Sequence, residues 1–591
     1  MKAQQKQFSA NRRASKRLLL RTACAARLLP LLLLLTLPAM VQAQFTFVTN
    51  NGALTITGYT GSGGDVVIPD ATNGLPVTSI GTNAFYSCTS LTNLTIPDSV
   101  TNIGHFAFYS CTNLHSVLTG NSVTDIGYKA FYNCGSLTNI TLPDSVITIW
   151  DYAFYNCQSL ARVNMGANVA SIGSYAFYDC FSLTSLTIPD SVTSIGVYTF
   201  TSCINLSSVT IGTNVNSIAG NAFDSCIKLT SVTIPSSVTN LGIEVFIRCS
   251  SLTAITVDAL NPAYASLDGV LFNKSWTTLI QYPQGKIGGY TIPNTVTNIG
   301  RSAFYNCSSL TSITIPDSVI TIGNYAFTWC AGLTSLTIPG SVTTIREGAF
   351  INCHNLTSLT ISNGVISIGR SAFDECYKLT NLTIPESVTS IGIQAFYLCY
   401  GLTNVTIGNS VTNLGGEAFS CCWNLTRVTI PNRVTSLGFG TFVLCSLRNV
   451  TIPNSVTNIE ERAFGYCTSL TGVYFEGNAP SAHADAFYSA TNVTVYYLPG
   501  TTGWGPTFCG RPTALWNPQL QTSDTSFGVG PNGFGFNITG TNIPIVVQAC
   551  TNLTSQAWVP LQSFNLTNGS VYFSDPQWTN HPARFYRLRW P

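Results

Sequence analysis

One pattern of apolar and polar positions recurs along most of the chain. Residues 91–104 read Leu-Thr-Asn-Leu-Thr-Ile-Pro-Asp-Ser-Val-Thr-Asn-Ile-Gly, in which the three residues before the proline alternate between apolar and polar. This alternation predicts a short strand with one buried face, and the proline ends the strand because it cannot donate a ladder hydrogen bond. The following Ala107-Phe108-x-x-Cys111 predicts one helical or 3-10 turn. We expect Gly104, at the junction, to adopt a positive φ.

The cysteines set the period of this pattern. They lie 23 residues apart in two blocks of eight, with a single spacing of 22 before the last one. The ladder cysteines are Cys88, Cys111, Cys134, Cys157, Cys180, Cys203, Cys226, Cys249, Cys307, Cys330, Cys353, Cys376, Cys399, Cys422, Cys445 and Cys467. One repeat cannot enclose its own apolar side chains, so neighbouring repeats must stack to bury them. The sequence therefore predicts a repeat solenoid in which each 23-residue rung contributes a strand and a short helical or 3-10 turn.

We expect one parallel sheet to run through both blocks, with the chain between them projecting as a β-hairpin. Val270-Leu-Phe272 and Thr278-Leu-Ile280 flank a connection short enough for a hairpin. Caps are expected at both ends, because an open solenoid end exposes a sheet edge and apolar core. The predicted organisation is a signal peptide (1–43), an N-terminal cap (44–80), a first repeat block (81–249), an insertion with a β-hairpin (250–306), a second repeat block (307–470), a C-terminal cap (471–516) and a small all-β, sandwich-like domain (517–591).

The first 43 residues predict export. Eight Lys and Arg and no acidic residue precede the apolar run 28–37, and small residues follow at the positions that a signal peptidase reads, so we expect cleavage between Ala43 and Gln44. The apolar run is too short to cross a hydrocarbon core of roughly 30 Å, so no membrane span is expected in the mature chain. The predicted location is secreted or on the cell surface.

The charge balance argues against two classes of partner. Removal of the eight leader bases changes 26 Lys and Arg against 24 Asp and Glu into 18 against 24. A weakly acidic chain has no basic surface for nucleic acid or for anionic lipid. The sequence leaves the oligomeric state open.

No catalytic or metal-binding constellation is apparent. A β-helix-like enzyme would need Asp, Lys or Arg clustered on one face, and none appears. The histidines fall at unrelated repeat positions, and the recurrent aspartates follow proline, where turn chemistry explains them better than a carboxylate pair. These residues are His105, His115, His354, His483 and His581, and Asp98, Asp144, Asp190 and Asp317. We therefore predict no enzyme activity, no catalytic residue, no metal site and no cofactor.

The motif Leu-x-x-Leu-Thr-Ile-Pro-x-x-Val-Thr-x-Ile-Gly-x-x-Ala-Phe-x-x-Cys resembles the BspA-type leucine-rich repeat of bacterial surface proteins. The resemblance extends from about Phe45 to Trp516, and segments near 56–80, 268–283 and 473–504 resemble the family's N-terminal cap, hairpin insertion and C-terminal cap. It implies adhesion to host or matrix proteins and to other cells. The chain departs from the motif at Leu118, Thr119 and Trp150, so we expect local distortion of the second and third rungs.

The outward side of the strand is the candidate binding surface. Columns of Thr and of Ser or Asn, stacked at about 4.8 Å, would form a long hydroxyl and amide surface with little charge. The candidate residues are Asn139, Thr141, Arg162, Thr187, Thr210, Thr233, Thr337, Thr360, Thr383, Arg427 and Thr429. Threonine is also simply a good solvent-facing strand residue, which would need no ligand to explain it.

Non-catalytic binding of an extracellular protein or glycan through this face is the function that we predict. The alternatives are a structural coat or an ice- or water-ordering protein that uses the Thr columns, and, less favoured, a β-helix-like polysaccharide-active enzyme.

The ladder cysteines are expected to be buried, reduced thiols. Export ordinarily favours disulfides. Equivalent residues of stacked rungs point the same way, however, so their Cβ atoms should lie about 4.8 Å or more apart, whereas a disulfide needs about 3.8 Å. The states of Cys421, Cys509 and Cys550, which lie outside the ladder, are left open.

Overall fold

The computed structural model describes residues 44–554, 557–567 and 569–590, and within them the chain forms the predicted β-solenoid followed by an all-β region. The predicted leader and Ala43 lie outside the described residues. The single helix of the described part is a 3-10 helix, Trp578–Asn580. Where the sequence predicts one sheet, the structure has three sets of backbone hydrogen bonds between stacked rungs. The set that contains the predicted strand is interrupted at several rungs within each block.

The first set, here called the Thr ladder, contains the predicted strand. Its strands pair in parallel and in register, so that Thr187 lies opposite Thr210. In Ser185–Thr187, for example, the middle side chain is buried and its neighbours are exposed, as the alternation predicts. The strands are Gly64–Val67, Leu91–Thr95, Ser116–Leu118, Asn139–Thr141, Arg162–Asn164, Ser185–Thr187, Ser208–Thr210, Ser231–Ile234, Ala254–Val257, Gly288–Thr291, Leu310–Thr314, Ser335–Ile338, Ser358–Ile361, Asn381–Ile384, Asn404–Ile407, Arg427–Val428, Asn449–Ile452, Gly472–Phe475, Thr494–Tyr497 and Arg511–Leu515, with Thr507–Phe508 antiparallel to the last.

The second set, the Ile ladder, consists mainly of two-residue strands that end in the inward Ile of each rung. The sequence predicts the burial of this Ile but not the strand, because two residues are too few to show alternation. The strands of the first block are Phe45–Asn50, Ala53–Tyr59, Leu75–Ile80 with Ala71–Thr72 beside it, Asn102–Ile103, Asp125–Ile126, Thr148–Ile149, Ser171–Ile172, Ser194–Ile195, Ser217–Ile218 and Asn240–Leu241. Those that follow are Tyr264–Leu267, Val270–Asn273, Thr278–Gln281, Asn298–Ile299, Thr321–Ile322, Thr344–Ile345, Ser367–Ile368, Ser390–Ile391, Asn413–Leu414, Ser436–Leu437, Asn458–Ile459 and Ser481–Ala482.

The third set, the turn ladder, joins the Ala-Phe-x-x-Cys turns. Within a turn, the N–H of Cys111 donates to the carbonyl of Phe108 at 3.2 Å. Between rungs, the N–H groups of alternate residues donate to carbonyls of the next rung. In one rung the donors are Phe106, Phe108 and Ser110, and the acceptors are Tyr128, Ala130 and Tyr132, at 2.9, 2.7 and 2.7 Å. Phe106 and Ser110 have φ values of 55° and 56°, so the first and last of the three donors are in the left-handed region.

The positive φ predicted for Gly104 is wrong, because the left-handed residue is Phe106, two positions later. Glycine is needed at 104 for a different reason. A Cβ there would lie 2.8 Å from both the carbonyl oxygen of Ile80 and the carbonyl carbon of Gly81. The close stacking of backbones, rather than an unusual dihedral angle, therefore excludes a side chain.

The rung with the unusual residues keeps its register. Leu118 pairs opposite Thr95 and is 67 % exposed. The hydroxyl of Thr119, at the inward Ile position, donates to the carbonyl of Thr141. Pairing with the next strand stops at Val117, so the distortion at this rung is one lost residue pair. At the rung of Trp150, Thr148–Ile149 pairs in register with both neighbouring strands.

The hairpin forms as predicted, but its projection and the single continuous sheet are both wrong. Residues 264–281 form three antiparallel strands that open the second sheet of the Ile ladder. Neither the Thr ladder nor the Ile ladder pairs strands of the first block with strands beyond the hairpin. Successive side chains of the middle strand point to opposite faces. Leu271 packs into the apolar cluster of the first block, and Val270 and Phe272 pack into that of the second. Because this strand is apolar on both faces, a core covers each face, and the hairpin separates the two cores. We call residues 264–281 the septum.

The C-terminal region contains two antiparallel sheets that share one small apolar cluster. The sheets are Gln519–Gln521, Gly528–Gly530, Gly533–Thr539 and Ser570–Asp575, and Ile543–Cys550, Val559–Leu566 and Phe585–Arg589. The region contacts the end of the solenoid, where the Trp516 indole N–H donates to the carbonyl of Pro544 at 2.9 Å and Trp590 packs on Tyr474.

Candidate functional site

All eleven residues predicted for the binding face lie on the outer side of the Thr ladder, and each is exposed. The septum lies between two groups of them, which form two surfaces. The first surface carries Asn139, Thr141, Arg162, Thr187, Thr210 and Thr233, and the second carries Thr337, Thr360, Thr383, Arg427 and Thr429. We call these two surfaces together the strand face.

Some side chains of the strand face already bond to one another. The hydroxyls of Thr233 and Thr256 lie 2.9 Å apart, and the Asn164 amide donates to the hydroxyl of Thr141 at 3.3 Å. A hydroxyl can donate once and accept twice. Each of these exposed groups therefore retains hydrogen-bonding capacity for a ligand.

Three of the recurrent aspartates accept hydrogen bonds from the backbone of a neighbouring rung. Oδ1 of Asp98, Asp144 and Asp190 each accepts a hydrogen bond at 2.7 Å from a backbone N–H one rung later. The bond from Thr213 lowers the pKa of Asp190. These carboxylates hold turns together, in agreement with the interpretation of turn chemistry. In the described part of the chain, no group of three His, Cys, Asp or Glu is placed to hold a metal ion.

The ladder thiols are free in the structure, and all except Cys88 are buried. They also hydrogen-bond between rungs. The thiol of Cys203 donates to the carbonyl of Phe177 at 3.4 Å, and that of Cys330 to Phe304 at 3.0 Å. Burial raises the pKa of Cys157 to about 12, so its thiolate is scarce at neutral pH. The column is therefore a structural one.

The turn side carries a column of tyrosines that our interpretation of the sequence missed. Ring centroids of successive members are 4.7–4.9 Å apart and the rings are nearly parallel. The members are Tyr86, Tyr109, Tyr132, Tyr155 and Tyr178. Their 23-residue spacing is visible in the sequence and was the available signal. Because each face covers the next, the column presents ring edges rather than open platforms to solvent.

One carboxyl on the turn side is buried without full compensation. Asp374 is 9 % exposed and its Oδ1 has no hydrogen-bond partner among the described residues. Burial, with a smaller contribution from nearby Glu375, raises the pKa of Asp374 to about 7. Asp224 is also buried but is paired with Arg248, whose Nε donates to Oδ1 at 2.8 Å.

Comparison with known proteins bears on the whole solenoid. The model of the BspA type leucine rich repeat region matches residues 78–184, 170–285, 281–402 and 389–503, which is more than half of the chain. No curated protein matches. No helix among the described residues is long and apolar enough to cross a membrane.

Two solved structures are among those similar to the chain. A leucine rich cell surface protein of Faecalibacterium prausnitzii is 29 % identical, with 74 % of this chain and 94 % of that one covered and a TM-score of 0.44. A leucine-rich repeat protein of Bacteroides ovatus is 28 % identical, with coverages of 66 % and 94 % and a TM-score of 0.47. With the family model covering most of the solenoid, the chain belongs to the BspA-type leucine-rich-repeat family.

Proposed function

We propose that the protein is a non-catalytic extracellular binding protein that holds a protein or glycan ligand against the strand face. The observation that carries this proposal is the exposure of every Thr, Asn and Arg predicted for that face. The basic, apolar and small-residue segments of the leader support export, and hence a secreted or cell-surface location.

The chemistry of the strand face suits a ligand rich in hydroxyl or amide groups. Each hydrogen bond contributes only about 0.5–1.5 kcal/mol net. Stacked rungs repeat the same donors and acceptors, so many weak bonds can add along a long ligand. Arg162 and Arg427 place one cation on each surface, where a carboxylate of the ligand could pair with it.

The test is a binding screen of residues 44–591 against glycans and matrix proteins, followed by a triple variant. Replacing Thr210, Thr233 and Thr337 by Glu should weaken binding at least tenfold by bulk, charge and lost hydroxyls. A matched control replaces three exposed threonines beside the Ile ladder, Thr193, Thr239 and Thr343, by Glu and should bind normally.

Circular dichroism establishes that both variants are folded. A folded strand-face variant that binds as well as the control would show that the face is wrong. Thermal hysteresis in the same preparation, without ligand binding, would favour the ice-ordering alternative instead.

A further inference from the structure

The turn ladder is broken at one interior rung, the one that contains Cys249. In the rungs on either side of this break, three N–H groups donate to carbonyls of the following rung. In the preceding rung, for example, Asn221, Phe223 and Ser225 donate to Ile243, Val245 and Ile247 at 3.1, 3.0 and 2.9 Å. The equivalent donors in the Cys249 rung are the N–H groups of Glu244, Phe246 and Arg248, and none of them has an acceptor among the described residues.

The break follows from the length of the septum hairpin. Where a regular rung would place Ala-Phe-x-x-Cys, the hairpin continues only as Gln281-Tyr282-Pro283-Gln284. Tyr282 contacts the second block: its N–H donates to the carbonyl of Ala303 at 2.7 Å and its ring stacks on Phe304. Towards the first block, the Gln281 amide makes the connection, donating to the carbonyl of Phe246 at 2.9 Å. The segment is too short to complete the turn ladder on both sides.

A cavity of about 260 Å³ opens in the resulting gap, which we call the notch. Ile243, Val245 and Ile280 give it apolar walls, and Ile243 is 63 % exposed at its rim. Glu244 crosses the gap, accepting from Arg301 Nε at 3.0 Å and from the Ser302 hydroxyl at 2.7 Å. This ion pair joins the two blocks and leaves the notch without excess charge.

We infer that the notch binds an extended segment of a partner protein. Backbone carbonyls of the segment accept from the N–H groups of Glu244, Phe246 and Arg248, and one apolar side chain enters the cavity. The regular rungs support this occupant, because there the same three donors meet carbonyls of a peptide chain. Addition of a chain to an open backbone edge, with a pocket selecting a side chain, is a known mode of peptide recognition. An anion is disfavoured because Arg301 is already paired with Glu244.

The notch is separate from the strand face and does not depend on the proposed function. The first measurement is amide hydrogen exchange, resolved to single residues by mass spectrometry, on the full chain. Without peptide, the N–H groups of Glu244, Phe246 and Arg248 should exchange at least tenfold faster than those of Asn221, Phe223 and Ser225. Addition of a capped hexapeptide with a central Leu or Phe should slow the first three selectively.

The second measurement is fluorescence anisotropy with capped, labelled hexapeptides that carry Ala, Val, Leu, Met, Phe or Ser at the centre. The best apolar centre should bind at least tenfold more tightly than Ser. Ile243→Arg should weaken binding at least tenfold, whereas Ile393→Arg, at the same position of a regular rung and also exposed, should leave binding unchanged.

The inference is overturned if the three N–H groups are already slow to exchange, or if no peptide binds at about 1 mM, the weak end of measurable affinity. Equal loss of binding in the two variants would place the peptide elsewhere. Protection by acetate or phosphate alone would make the site an anion site and exclude the peptide.

Discussion

Replacing Asp374 by asparagine should stabilise the protein at pH 8 and have little effect at pH 4. The carboxyl is buried with one oxygen unpaired, and burial raises its pKa from the ordinary 3.8 to about 7. An acid whose pKa is higher in the folded state holds its proton more tightly there. Its favourable contribution is complete below the unfolded pKa and is lost as pH rises from about 4 to about 7. Asparagine keeps the shape of the side chain and cannot ionise, so the variant should not lose this stability as pH rises.

The expected magnitude follows from the two pKa values. A tenfold change in proton affinity corresponds to about 1.4 kcal/mol, so moving the pKa of Asp374 from 3.8 to about 7 amounts to at most about 4 kcal/mol. Opening of a single rung can hydrate the carboxylate without global unfolding, which lowers the measured value.

The assay is urea unfolding of the wild type and of Asp374→Asn at pH 4, 6 and 8, monitored by tryptophan fluorescence. The difference in midpoint between the two proteins should grow with pH. Asp190→Asn is the contrasting control. The backbone bond from Thr213 lowers the pKa of Asp190, so its stabilising contribution is present at neutral pH and is lost as pH falls through the folded pKa. That variant should be less stable than the wild type at pH 8. A constant midpoint difference for Asp374→Asn across this pH range would refute the argument.

Two further predictions concern the stacking of the rungs. Alkylation of the protein under denaturing, non-reducing conditions, with peptide mass mapping, should find free thiols in the ladder. Under native conditions Cys88 should react before Cys111, because Cys88 is partly exposed and burial raises the pKa of Cys111 to about 12. Links between cysteines 23 residues apart would contradict this. Gly127→Ala should cost about 1–3 kcal/mol of overpacking, because its Cβ would lie 2.6 Å from the Ile103 oxygen. Gly135→Ala, with open space around it, should be close to neutral, and equal urea midpoints would disprove the steric argument.

The strand and the turn after it could be predicted because their determinants are local. Alternation around Leu186 identifies the buried face of its strand, and proline marks where the strand ends. The left-handed residues of the turn ladder were not predictable in the same way. Phe106, Lys129 and Tyr152 occupy that conformation without being glycine, so composition carries no sign of it. Interstrand pairing compensates for the local strain, and pairing is not a property of one repeat.

The candidate strand face was predictable as a set of residues but not as a continuous surface. Each Thr position follows from the period alone. The interruption of the strand face depends on where the septum hairpin packs. We interpreted Val270-Leu271-Phe272, which is apolar at three successive positions, as one strand of a projecting hairpin. A projecting strand would leave one apolar face in water, which is the physical reason for its burial. The notch depends on the same detail and lay beyond the prediction for the same reason.

The septum also divides the solenoid into two parts that should unfold separately. In a solenoid, each repeat is stabilised mainly through the interface with its neighbours, so cooperativity passes from rung to rung. At the Cys249 rung, neither the Ile ladder nor the turn ladder makes a backbone hydrogen bond to the next rung among the described residues. The backbones of the two blocks are joined there by only a few bonds, such as that from the N–H of Gly285 to the carbonyl of Leu252 at 2.7 Å. Loss of structure that starts in one block should therefore stop at the septum. A stretching force applied to the two ends would separate the two blocks there first, so the chain would lengthen before either core unfolded.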